Sequence, residues 1–162
     1  MPEPVDLHRL TAALGDGELV ETGADFARSI PEDCLIARLG IALARVGRGR
    51  AEATMTVARH HLNQRGVAQA GAVVALADAA AGWASYSAVP HGGFTTLDLT
   101  THLLRPAREG DLLTATATPV RLGRTVQVID VLVTRTGDTG GAAPPAVARF
   151  TCSQLVREAV RR

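Results

Sequence analysis

The chain has 162 residues, 46% of them hydrophobic and 20% charged, which is long and apolar enough for one packed domain and excludes a disordered or low-complexity chain. Its formal charge is +1, from 17 basic residues, all arginine, against 16 acidic ones, so it offers no dense basic face to DNA or RNA. With aromatic residues at 3% there is no base-stacking platform, and the core must be built from Ala, Val, Leu and Ile, a set that suits a sheet pressed onto a slim helix.

Residues 1–38 contain one short amphipathic stretch, Leu7, Leu10, Ala13 and Leu14, stopped by Gly15-Asp16-Gly17, which predicts a peripheral helix. The opening Met1-Pro2-Glu3-Pro4-Val5-Asp6 lacks a basic run followed by an apolar one, so no secretory signal is read and a cytoplasmic location is expected. The main unit is expected over residues 39–162. From Leu39, apolar residues alternate through Ile41 and Leu43 to Arg45, then through Ala51, Ala53, Met55 and Val57 after Gly47-Arg48-Gly49, which predicts two antiparallel strands joined by a glycine turn. Residues Arg59 to Arg65 are polar and irregular. Val67 to Ala88 has no turn residue beyond Gly71 and Gly82 and predicts a long helix. This stretch is no membrane span: it is mostly Ala and Gly, and Asp78 at mid-bilayer would cost roughly 2.5 to 3.5 kcal/mol.

Beyond the helix, Phe94 to Leu104, Leu112 to Leu122, Thr125 to Arg135 and Ala146 to Val156 read as strands rich in Thr, Val and Leu. They are separated by Arg105 to Asp111, Gly123 and Gly137 to Pro145, the last a hairpin extension with no assigned function. Strands this close together pair antiparallel, and the single long helix must cross one face of the sheet, giving an α+β fold. Cys34 and Cys152 have no metal-ligand spacing and read as reduced, buried fillers.

That order of elements, with His61-Leu62-Asn63-Gln64-Arg65-Gly66, the run from Gln69-Ala70-Gly71 to Leu76-Ala77-Asp78, Leu97-Asp98-Leu99 and Leu104-Arg105-Pro106-Ala107, resembles the PaaI-like hotdog thioesterases from about Leu39 onward. The family pattern is H-x-N-x-x-G-x-x-H-G-G, then a helix with L-x-D or L-x-E, then a strand ending in R-P-A. The resemblance implies a hotdog fold, an antiparallel sheet of five to six strands wrapped around one long central helix with a short N-terminal helix. It also implies hydrolysis of an acyl-CoA thioester by a homo-oligomer, as a dimer or a dimer of dimers, without metal or cofactor. The chain departs from the pattern at Gln69-Ala70-Gly71, where the family has His-Gly-Gly. By position Ala70 supplies the backbone N–H that polarises the thioester carbonyl; alanine keeps that donor and adds a methyl beside the substrate. The resemblance also has Asn63 hold the thioester or its water, Thr96 steady the carboxylate or water, and Arg121-Leu122-Gly123-Arg124-Thr125 touch the nucleotide end of CoA.

Thioester hydrolysis needs a nucleophile or an activated water, a donor for the carbonyl oxygen and a slot for the leaving group. No nucleophile elbow or Cys/His pair is visible, which leaves a carboxylate. Asp78, inside an alanine run with no adjacent cation, is expected to be paired, protonated or lining a cavity, with desolvation raising its basicity; the bland alternative is a solvated helix stripe. Ala70 and Gly71 open the helix, where free N–H groups and the positive dipole end suit a developing oxyanion. Asp78 lies eight residues further, about 12 Å away, so one helix cannot present both groups to one carbonyl, whereas two antiparallel helices about a twofold axis can.

The remaining candidates each have two readings. Asn63, the chain's one asparagine, also suits a turn, and Gln69 is either an amide near the helix start or a cap. Thr96 also suits a purely structural place in a Thr-rich strand, and Asp98 is expected to point with Thr96. Arg105 and Arg108 are second candidates for phosphate contacts beside Arg121 and Arg124, against a reading as solvated surface arginines. His8, His60, His61, His91 and His102 show no ligand spacing on one element, so no metal site is expected. The leading reading is an acyl-CoA thioesterase; the alternative is an acyl-CoA-binding hotdog protein with little or no turnover. A dehydratase on this fold would need a catalytic His with a carboxylate in differently spaced motifs, which are absent.

Overall fold

The computed structural model describes residues 5–89, 93–136 and 143–157; His91 and most of the Gly137 to Pro145 extension lie outside them. The alanine-rich stretch forms helix α4, Ala70–Ala88. It begins three residues later than the composition suggests because the preceding N–H groups are engaged elsewhere: Ala68 donates to the Ala107 carbonyl and Gln69 to the His61 carbonyl. Six strands fall where they are predicted: β2 Ala42–Gly47, β3 Arg50–Thr56, β4 Gly93–Leu103, β5 Leu112–Leu122, β6 Val126–Thr136 and β7 Ala146–Arg157. A seventh, β1 Val20–Glu21, pairs with β2 at the sheet edge, and two residues are too few to show in a periodicity. The sheet is antiparallel with the order β1-β2-β3-β5-β6-β7-β4.

The N-terminal segment holds three short helices, not one: α1 Leu7–Thr11, α2 Gly23–Ser29 and α3 Leu35–Arg38. Phe26 of α2 is 7% exposed and meets Trp83 of α4 edge to face, ring centroids 5.7 Å apart at 80°. Buried Thr11 Oγ1 lies within hydrogen-bond reach of the Leu7 carbonyl of its own helix at 2.9 Å and of the Ser87 carbonyl at 3.3 Å, which sets α1 against the end of α4.

One face of α4 lies on the sheet, and the contact is made by small residues on both sides. Leu76, Ala77, Ala80, Ala81 and Ala84 are fully buried against Ala53, Ala115, Val131, Val133 and Phe150. Short side chains let the helix axis approach the sheet closely at crystal-like density, so even one added methylene would be felt. At the helix C-terminus the Ser87 hydroxyl accepts from the Gly49 N–H and donates to the Gly47 or Ala84 carbonyl, pinning α4 to the β2–β3 turn. Gly49 is required in that turn twice over, by its φ of +69° and because a Cβ would stand 2.7 Å from Leu122 Cδ1.

Two bulges alter the expected faces. In β2 the register shifts between Leu43 and Arg45, so strict alternation stops at Leu43, and Val46 is buried while Arg45 is exposed and pairs with Glu52. In β4 the register shifts between Thr96 and Asp98: Thr96 faces Gln154, Asp98 faces Ser153, and these adjacent partners point to opposite sides of the sheet. Asp98 therefore turns away from Thr96, contrary to the alternation read from the sequence. Cys152 is buried as expected, whereas Cys34 is partly exposed at the start of α3, on a segment too short to bury it. No helix among the described residues is long and apolar enough to cross a membrane.

Candidate active site

The loop from His61 to Gln69 builds one half of the candidate site. His61 Nδ1 accepts from the Ala58 N–H, and the His61 carbonyl receives the Gln69 N–H, so this buried histidine clamps both ends of the turn that leads into α4. Burial, and next the neighbouring charge of His60, hold its imidazole below the usual 6.5. Asn63 Oδ1 accepts from the Arg65 N–H in an Asx turn, which engages the carbonyl side of the amide and leaves its NH2 without a partner among the described residues. A cavity of about 370 Å³ is lined by Asn63, Gln69, Ala70, Leu104 and Arg105, so four of the predicted residues converge there. Gln69 makes no side-chain cap, and the Ala70 and Gly71 N–H groups have no partner among the described residues. The helix start is an open donor pair at a positive dipole end.

Asp78 builds the other half. Its flanking alanines do not bury it: at 100° per residue Ala77, Ala80 and Ala81 turn to the sheet while Asp78 stands exposed on the opposite face with Gly71. The burial expected of it is thus absent in the single chain; neighbours in sequence are not neighbours in space. The carboxylate is paired all the same, since Thr96 Oγ1 donates to Asp78 Oδ1 at 3.3 Å. It also lines two cavities. One, of about 390 Å³, runs along the exposed stripe past Gly71, Val74, Ala75 and Leu99. The other, of about 500 Å³, lies between α4 and the N-terminal helices.

Across from Thr96 on β7 sits Gln154, fully buried, with the Cys152 thiol nearby on the same strand. Burial, and next the charge of Asp78, push the Cys152 thiol up to about 11, so it is no thiolate nucleophile at neutral pH. Arg105 lends Nη1 to the Ala146 carbonyl while lining the first cavity. Arg108 has its backbone N–H on Asp111 and lines none of the three cavities. Arg121 stands near the end of β5, and Gly123, Arg124 and Thr125 form the β5–β6 turn at the sheet's end, where the Thr125 carbonyl accepts the Val156 N–H; all four line none of the three. Among the described residues no three His, Cys, Asp or Glu side chains converge as metal ligands would.

Sequence reading missed the aromatic lining of the cavity of about 500 Å³. Phe26, Trp83, Tyr86 and Phe94 all face it, which is four of the chain's five aromatic residues. Their scarcity was the available signal, but the partners come from three separate elements.

A sequence profile of the Thioesterase superfamily matches residues 65–142. A Haemophilus influenzae protein described as "Putative esterase" is 37% identical over 94 residues, covering 57% of this chain and 67% of that one. This chain belongs to the thioesterase superfamily. Two solved structures extend the likeness beyond the profile. The Escherichia coli PaaI protein from the phenylacetic acid degradation operon is 29% identical with a TM-score of 0.70, over 82% of this chain and 90% of that one. A Streptococcus mutans protein bound to acetyl CoA is 28% identical with a TM-score of 0.65, over 72% and 87%. The thioesterase profile thus spans α4 and β4 to β6, the elements that carry Ala70, Asp78 and Thr96, and leaves residues 5–64 outside it.

Proposed function

We propose that this thioesterase hydrolyses an acyl-CoA thioester at a site shared between two copies of the chain, in a dimer or a dimer of dimers. The observation that carries the reading is the exposed stripe of α4, with open N–H donors at Ala70 and Gly71 at one end and the Thr96-held carboxylate of Asp78 at the other. About 12 Å separates them along the helix, too far for one carbonyl. Antiparallel pairing of two such helices brings one copy's Ala70 to the other's Asp78, and the small residues Gly71, Val74 and Ala75 between them allow close approach. β4 is an edge strand with Leu97 55% and Leu103 51% exposed, which also fits a surface covered by a second copy.

In this scheme the Ala70 N–H bonds the thioester oxygen as charge develops on it. Asp78 either takes a proton from the water that attacks the carbonyl carbon or attacks that carbon itself, and Thr96 fixes the carboxylate. In the first route the C–S bond breaks and the CoA sulfur leaves with the proton that Asp78 took from the water. In the second the sulfur leaves as a thiolate, and water then hydrolyses the acyl–Asp78 anhydride, restoring the carboxylate and releasing the acid, whose proton the thiolate takes up. Arg121 and Arg124, with the backbone at Gly123 and Thr125, serve the CoA phosphates, and Arg105 serves the cavity beside Ala70. No metal or cofactor enters the scheme. The bound acetyl CoA of the Streptococcus mutans relative supports the substrate class.

A second reading, an acyl-CoA-binding protein with little turnover, is favoured by one feature: the Ala70 methyl lines the cavity where the family pattern has glycine. A hydrolysis assay over acetyl-, hexanoyl-, phenylacetyl- and palmitoyl-CoA, with Asp78→Asn alongside, separates the two. Thiol release by the native protein that is lost in the variant supports hydrolysis. Saturable binding without thiol release supports the second reading.

A further inference from the structure

We infer that the cavity of about 500 Å³ behind Asp78 is the acyl chamber, that its outer wall is the N-terminal segment, and that Phe26 limits the acyl group to a single ring or a medium chain; this rests on the reading of Asp78 as the hydrolytic carboxylate. The cavity opens at Asp78 and Ala79 and runs along α4 past Gly82 and Trp83 to Tyr86. A carbonyl held at Asp78 therefore has its substituent pointed into an apolar space of the same chain.

The lining fixes what fits there. No arginine is among the wall residues, so the phosphate-bearing part of CoA has no counter-charge in this space. The hydroxyl of Ser29, one of the few polar groups, is engaged with the Phe26 carbonyl at 2.7 Å. Apart from Asp78 at the mouth, the Cys34 thiol and the Tyr86 hydroxyl, what remains is aromatic and aliphatic surface, which recovers free energy by covering an apolar group. The edge-to-face pair of Phe26 and Trp83 presents ring faces and edges to a third ring or to a chain lying against it.

The floor depends on a missing side chain. A Cβ on Gly82 would stand 2.9 Å from Phe94 Cζ, so glycine lets the Phe94 ring from β4 lie against the helix. From Asp78 to Tyr86 is eight residues, about 12 Å, which holds a phenylacetyl or hexanoyl group but not an extended palmitoyl chain. The wall residues Phe26, Ile30 and Ile36 all lie outside the span matched by the superfamily profile. Size selection is therefore a property of this chain's own N-terminal segment and is not carried by the family match.

Trp83 is the chain's one tryptophan, so its emission reports occupancy of the chamber without any turnover. The test titrates the native protein with a non-hydrolysable phenacyl thioether of CoA and with CoA alone. In parallel, palmitoyl-CoA and phenylacetyl-CoA hydrolysis are compared in native protein and Phe26→Ala, with Phe26→Leu replacing it if the alanine variant does not fold. The expected results are a saturable change in Trp83 emission with the thioether but not with CoA, and a rise of about tenfold in the palmitoyl to phenylacetyl kcat/KM ratio on removing the ring. An emission change without hydrolysis of any ester keeps the chamber and overturns the hydrolytic reading. Hydrolysis with neither an emission change nor a shifted ratio in the folded variants overturns the chamber and keeps the hydrolytic reading. If neither emission change nor hydrolysis is seen, both fall.

Discussion

At its N-terminal end α4 presents Ala70 and Gly71 beside Asn63 and Gln69, four residues drawn from nine consecutive positions and fixed by the backbone bonds of one loop. Eight residues on, Asp78 stands over a chamber whose walls come from α2, α4 and β4, as far apart in sequence as Phe26 and Phe94. The first end relies on backbone donors, which tolerate substitution as long as the loop keeps its path. The second relies on side-chain volume, which does not. Chemistry that uses main-chain groups can be written in a short motif; selectivity that uses packed side chains must be written across the fold.

The sharpest break in that comparison is Asp78→Asn. A positioned base supplies about 10² to 10⁴ in rate, so kcat on the best ester should fall at least about 10²-fold while the circular dichroism spectrum is unchanged. An unaltered kcat in the folded variant removes Asp78 from the reaction.

Mixing tests whether the two ends meet across copies. Asp78→Asn and Ala70→Trp chains, each inactive alone, should regain part of the native rate after co-refolding, because a hybrid pair contains one intact composite site. Equal inactivity before and after mixing, or a monomer by light scattering, ends the shared-site geometry.

Gly82→Ala probes the chamber end alone. Alanine gains roughly 1 kcal/mol of helix propensity over glycine, and displacing the Phe94 ring from 2.9 Å costs a similar amount, about 1 kcal/mol. Melting temperature should therefore move by only a few degrees. The displaced ring narrows the chamber, so the phenylacetyl to acetyl kcat/KM ratio should fall about tenfold. A large stability loss with an unchanged ratio would make Gly82 a packing residue only.

The smallest expected effect is at the loop end and concerns stability. The folded chain keeps His61 neutral below its ordinary 6.5, whereas the unfolded chain protonates it, so its contribution is full above 6.5 and is lost as pH falls from there. The urea midpoint should drop more between pH 7 and pH 5 in the native protein than in His61→Gln, and equal slopes would show that the clamp at Ala58 does not depend on the imidazole's charge.

The strands and the helix were legible because Ala-rich and Val/Thr-rich runs differ so strongly, and Asn63, Gln69 and Ala70 lie within one short motif. That Arg105, from the segment after β4, lines the same cavity was not legible, because only the fold brings it there. Other features were hidden for physical reasons. Asp78 looked buried because its sequence neighbours are alanines, yet helical rotation sends them to the other side. Asp98 looked aligned with Thr96 until a bulge reversed it, and a single inserted residue leaves no trace in composition. β1 and α3, of two and four residues, are too short to show a period, and the seven residues of α2 carry only Phe26 as a large apolar anchor. The chamber was invisible because Phe26, Trp83 and Phe94 share nothing but their final positions.

β4 offers eleven residues of backbone with one side paired to β7 and the other open among the described residues. Open strand edges template the addition of any extended chain, native or not. In the assembly proposed here the second copy both completes the catalytic site and occupies that edge, so association doubles as protection against fibrous growth. Stability then becomes a property of the solution as well as of the molecule: by mass action the melting point rises with protein concentration, and dilution exposes the adhesive edge before the fold itself is lost.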